Sequence, residues 1–136
     1  MSKSAIYLAN LANSELEDGD IIPIGTIVRR YGQNVRQDGN SVTVCDKPGC
    51  PGYYSVDVIA MLELGENAEY TVTLEKDGVA ALGSFAVFNG APASSIVPFQ
   101  ISVIIKNSCG GTSNLSVRVK GGKAKVINMT TTVERL

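Results

Sequence analysis

VPFQISVIIK, residues 97–106, places Val97, Phe99, Ile101, Val103 and Ile105 on one parity and Pro98, Gln100, Ser102, Ile104 and Lys106 on the other. Successive side chains of an extended chain point to opposite faces, so this run predicts a strand with one buried face. The same beat returns in Tyr70, Val72 and Leu74 against Thr71, Thr73 and Glu75, in Leu115, Val117 and Val119, and in Ile127, Met129 and Val133. Between these runs stand Asp38-Gly39, Asp77-Gly78 and Gly121-Gly122, which accept the positive φ angles of tight hairpins. Closely spaced strands with such turns, and almost no helical period after Asp20, predict an all-β chain: an antiparallel jelly-roll sandwich of about eight to ten strands.

A chain of 136 residues is the size of one ordinary domain and can bury a core without disulfides or metal. Its 12 basic and 13 acidic side chains leave a net charge of −1, too weak a field to draw in nucleic acid or an anionic membrane. The longest apolar run, residues 58–62, falls far below the roughly 20 residues of a membrane helix. MSKSAIYLANLANSELEDGD, residues 1–20, lacks the apolar stretch of a signal peptide. These features point to a soluble product of a reducing cytoplasm whose three cysteines stay as thiols.

Residues 1–20 break the pattern, because Ile6, Leu8, Leu11 and Leu16 do not hold a clean strand beat and the Ala and Asn residues between them suit a short helix or an extended arm. This predicts an N-terminal arm outside a jelly-roll domain of residues 21–136. Ile6, Tyr7, Leu8, Leu11 and Leu16 are its candidate anchoring residues toward a partner, and a frayed terminus is the alternative. Within the domain, Tyr53, Ile59 and Met61 oppose Tyr54, Val56, Val58 and Leu62 in parity, so one run is apolar on both faces. One set belongs to the core and the other needs a cover: a subunit interface, or else the arm or a loop.

Catalytic chemistry finds few parts. Histidine is absent, which removes the usual general base, the usual metal ligand and any enzyme of the cupin type. Glu15, Glu17, Asp18 and Asp20 lack the spacing of a calcium loop and read as a solvated linker. Asp57 stands alone within a strand, as an outward residue or an interface partner for an arginine rather than a catalytic group. KGGK at 120–123 has no phosphate-loop spacing and reads as a hairpin, and Arg29-Arg30 as a solvated strand end. Cys45, Cys50 and Cys109 supply three thiolates where structural zinc wants four ligands, to which a carboxylate such as Asp46 or water could be added if Cys109 folds near the first pair. Cys45 and Cys50 can also close a short disulfide across their Pro-Gly turn, with small entropic benefit. Unpaired thiols are the simpler reading, and no cofactor is expected.

GYYSVDVIAML (52–62) followed by YTVTLEKDGVA (70–80) resembles the middle of the jelly roll shared by tumour necrosis factor and the complement globular heads. GTIVRRYGQNVRQDGNSVTV (25–44), CDKPGCPGYY (45–54) and INMTTTVERL (127–136), taken in order, resemble small jelly-roll structural proteins of tailed phages. The resemblance spans residues 25–136. It implies a homotrimeric, non-enzymatic virion component: a capsid decoration or head-fibre protein, assembled in the host cytoplasm, whose partners are itself and the major capsid protein or another virion protein. Tyr53, Ile59 and Met61 then become the expected trimer interface. Related jelly rolls on spore surfaces follow a collagen-like tract that this sequence lacks. The alternative is a carbohydrate-binding adhesion module in which Tyr31, Tyr53 or Tyr54 stacks on host-surface glycans.

Overall fold

The computed structural model describes residues 3–48, 52–89, 92–108 and 110–136. It contains eleven strands among these residues: β1 (Ala5–Asn10), β2 (Glu15–Leu16), β3 (Thr26–Tyr31), β4 (Val35–Asp38), β5 (Ser41–Cys45), β6 (Gly52–Leu64), β7 (Tyr70–Lys76), β8 (Val79–Phe88), β9 (Ile96–Asn107), β10 (Thr112–Lys120) and β11 (Ala124–Arg135). Two antiparallel sheets pack face to face as a jelly roll. The first runs β3-β1-β11-β6-β9 with β2 added on β11, and the second runs β4-β5-β10-β7-β8.

Period-two patterning builds both layers. The thirteen-residue β6 turns Tyr54, Val56, Val58, Ala60, Leu62 and Leu64 into the core and leaves Tyr53, Ile59 and Met61 exposed. On β9, Phe99, Ile101 and Ile105 are buried while Ile96, Gln100 and Ile104 face out. Tyr70, Val72 and Leu74 meet them from the second sheet, with Leu115, Val117 and Val119 alongside. In β11 a register shift between Val126 and Asn128 resets the parity, so Val126 and Met129 both point inward and Ile127 is only half-buried. Buried Thr131 lies on the inner side of that strand, and its hydroxyl has no hydrogen-bond partner among the described residues.

Three sequence expectations are corrected. Residues 5–10 form neither a helix nor a detached arm; they fill the slot between β3 and β11, which satisfies backbone groups on both sides. Ile6 and Leu8 keep a period of two against Tyr7 and Ala9. The beat is lost only where Leu11, just past the end of β1, and Leu16, beyond a turn at Asn13 (φ 52°), are counted with them. The strand count rises accordingly. Gly121-Gly122 is not a hairpin, because β10 and β11 belong to different sheets. It is a corner between layers, and a Cβ on Gly121 would lie 2.1 Å from the Glu69 carbonyl oxygen. Asp77-Gly78, in contrast, does close the β7–β8 hairpin, with both residues at positive φ (53° and 81°) as a primed turn requires.

Candidate functional site

Cross-strand partners of an antiparallel sheet share a face, so the outer surface of the first sheet can be assembled row by row. One row is Tyr31, Ala5, Glu134, Ser55 and Ile104; the next is Arg29, Tyr7, Thr132, Asp57 and Ser102; a third is Thr26, Ala9, Thr130, Ile59 and Gln100. Met61 with Pro98, and Glu63 with Ile96, continue toward one end, and Tyr53 with Lys106 toward the other. The five strands span about 20–24 Å across. Tyr53, Ile59 and Met61, the three residues singled out from the sequence, do lie on this one face, at 47, 52 and 40% exposure. Four more exposed residues join them: Tyr7 and Tyr31, which the sequence offered for anchoring and for glycan stacking, and Ile96 and Ile104, which it did not assign to this face. Ile104 and Ile96 were legible as the minority parity of the 97–106 run; Tyr7 and Tyr31 emerge only once β1 and β3 are known to flank β11.

The charged residues of these rows are Arg29, Asp57, Glu63, Lys106 and Glu134. Lys125 and Glu63 are direct cross-strand neighbours. Asp57 accepts a hydrogen bond from Ser102 Oγ (2.6 Å) and another from Ser55 Oγ (3.4 Å), which fixes its carboxylate facing outward among apolar and hydroxyl groups. Arg30 has turned the other way and donates from Nε to the Val35 carbonyl oxygen at 2.8 Å.

The cysteine corner is structural where it is described. Cys45 is half-buried, its sulfur 3.5 Å from Thr112 Oγ1. Cys50 and Cys109 lie outside the described residues, as therefore do the Cys45–Cys50 bridge and the three-thiolate site. Asp46 is enclosed, and its carboxylate accepts from Arg135 Nε (2.9 Å), Tyr54 Oη (2.9 Å) and Asn107 Nδ2 (2.6 Å). Burial pushes the Tyr54 phenol well above its ordinary value and the Asp46 carboxylate raises it further, while the hydrogen bond to Asp46 raises Arg135. The network ties the chain entering β6 to the ends of β9 and β11. Among the described residues no three acidic or cysteine side chains converge as a metal site. Asp18 and Asp20, from the acidic segment, accept backbone amides of Gly121 and Glu17, each at 2.8 Å.

The candidate anchoring residues are divided. Ile6, Leu8 and Leu16 are buried in the core of their own domain, so they are withdrawn as anchors. Tyr7 lies on the outer face of the first sheet and Leu11 is exposed just beyond β1. Tyr54 is withdrawn as a glycan platform because it is fully buried, whereas Tyr31 and Tyr53 are exposed.

On the second sheet, Thr71, Thr73, Phe85 and Arg118 line a hollow of about 290 Å³ beside the ion pair of Arg118 Nε with Glu75 at 3.1 Å. Edge strand β8 bulges opposite Leu74 and shows Val79, Leu82, Phe85 and Val87 to solvent, Leu82 at 97% exposure. Nothing in the sequence distinguished these positions from core alternation, since the irregular run 81–84, between Ala80 and Phe85, resets the parity.

No protein-family model matches the chain, and no curated protein matches its sequence. Similar solved structures include the globular domain of zebrafish complement 1qA protein, at a TM-score of 0.65 and 10% identity over 94% of each chain. The Eiger TNF of S. frugiperda is similar at a TM-score of 0.62 and 11% identity, over 98% of this chain and 91% of that one. The PRD1 vertex protein P5 is similar at 0.56 and 10%, over 98% and 96%. At such identities the likeness is one of fold: a jelly roll like those of the complement 1qA globular domain, the Eiger TNF and the PRD1 vertex protein.

Proposed function

We propose that this chain is a non-enzymatic structural component of a phage particle, a homotrimer that decorates the capsid, and that it self-associates through the outer face of its first sheet. One observation carries the reading: a face five strands wide whose exposed side chains are mostly apolar or hydroxyl-bearing, with Tyr53, Ile59, Met61, Ile96 and Ile104 exposed among the described residues. Burying such a face is what drives association, and a contiguous patch of this kind marks an interaction site. The likeness to the PRD1 vertex protein supports a virion setting, and the likeness to tumour necrosis factor and complement domains supports a compact self-associating unit.

With Ile6, Leu8 and Leu16 committed to the core, the capsid contact moves to β8, where Val79, Leu82, Phe85 and Val87 stay exposed on the other sheet. Tyr31 and Tyr53 are taken up in assembly rather than offered to glycans. Ile59→Lys combined with Ile104→Lys is expected to give a folded monomer by sedimentation. Leu82→Ser with Phe85→Ser is expected to keep the oligomer and lose binding to capsids of the encoding phage. A lysine variant that sediments as the wild type would reject the face, and unchanged capsid binding by the serine variant would reject β8 as the contact.

A further inference from the structure

We infer that Asp57 of one copy pairs with Arg29 of the next, and that this contact sets the register of the assembly; the inference rests on the self-association through the first sheet proposed above. Arg29, Tyr7, Thr132 and Asp57 lie in one cross-strand row, on β3, β1, β11 and β6. Three strand spacings separate the two charges, about 14 Å, so they cannot pair within a chain. Among the described residues Arg29 has no hydrogen-bond or ion-pair partner, and Asp57 is held only by the hydroxyls of Ser102 and Ser55. Those two hydrogen bonds preorganise the carboxylate but do not neutralise it.

A carboxylate buried without a countercharge opposes association strongly, so a face that closes over Asp57 must bring a cation to it. In a closed ring each contact is heterologous: one half of the face meets the other half of its neighbour. The β6–β9 half carries Asp57, Glu63 and Lys106 outward, with Lys125 beside Glu63, and Glu134 lies on β11 between the halves. On the β1–β3 half Arg29 is the outward cation within the strands, since Arg30 is turned inward onto Val35. Of the carboxylates on the face, Asp57 is the one that shares a cross-strand row with Arg29 from the opposite half, which singles out this pair. The planar guanidinium suits a carboxylate in which each oxygen accepts one serine hydroxyl and keeps a further lone pair.

The test is sedimentation equilibrium on the full chain, comparing wild type, Asp57→Arg, Arg29→Asp and the double exchange. Lys120→Glu, on the outer side of the second sheet, serves as a charge control, and thermal unfolding confirms that each variant is folded. Each single reversal is expected to weaken association at least tenfold, the exchange to recover most of that loss, and Lys120→Glu to change nothing. Asp57→Asn with Arg29→Gln, milder changes at the same sites, should be coupled in the same direction. An oligomeric wild type whose double exchange is no tighter than the singles combined would overturn the pairing and leave the sheet face standing. A monomeric wild type would overturn both.

Discussion

Replacing Asp46 with Asn tests what holds the cysteine corner to the sandwich. The substitution keeps volume and one acceptor oxygen but removes the charge and turns an amide toward one of three donors. Oδ2 accepts from Tyr54 and Asn107 and Oδ1 from Arg135, so an Asn oriented to keep the first two meets the Arg135 guanidinium donor to donor. Removing one partner of a buried ion pair costs about 3–5 kcal/mol. The Asp46 side chain is fully enclosed, and Arg135 retains 13% exposure through which water relieves some of the penalty, which places the loss near the lower end, about 3 kcal/mol. For a chain this size that corresponds to roughly 10 °C in Tm. Urea and thermal unfolding followed by tyrosine fluorescence, at one fixed protein concentration so that association does not vary, would measure it. Asp46→Asn with Arg135→Gln should cost clearly less than the two single losses added together. A loss below about 1 kcal/mol for Asp46→Asn, or strict additivity with Arg135→Gln, would refute the reasoning.

Gly52→Ala strikes the same network from the other side: a Cβ there would sit 2.3–2.5 Å from the Asp46 carboxylate, which its three donors hold in place, so a loss of about 2 kcal/mol is expected in urea unfolding. Thr131→Val replaces a buried hydroxyl that has no partner with a methyl group and should stabilise by about 1 kcal/mol; a destabilised variant would mean that the hydroxyl is bonded. Burial raises Tyr54 and Tyr70 in the folded state, so the unfolded chain releases these protons first, near the ordinary tyrosine value of about 10. The folded state then holds more protons, its stability is full below that pH and falls as pH rises above it, and Tyr54→Phe should flatten the decline. Stability independent of pH between 9 and 11 would contradict this.

Much of the sandwich could be read from the chain because alternation over β6, β7, β9 and β10 is long enough to repeat, and because Asp77-Gly78 demands one particular turn. The apolar double face of β6 was legible for the same reason: Ile59 and Met61 stand at the parity opposite Val56, Val58 and Leu62. What failed was local. β1 is only six residues long, and its beat drowned among the leucines beyond its turn; Gly121-Gly122 has hairpin chemistry but serves a corner where backbones approach too closely for a side chain. An arginine partner for Asp57 was open to the sequence but which arginine was not, since rows across a sheet depend on strand order, and strand order here brings residue 29 and residue 57 into line through β1 and β11. Asp46 looked like a spare zinc ligand until Arg135, 89 positions away, arrived beside it.

Self-association through the first sheet is tested most directly by sedimentation equilibrium of the wild-type chain at micromolar concentration. The expected result is a single species of three times the 14.3 kDa chain mass. A folded species at the mass of one chain across that range would contradict the account.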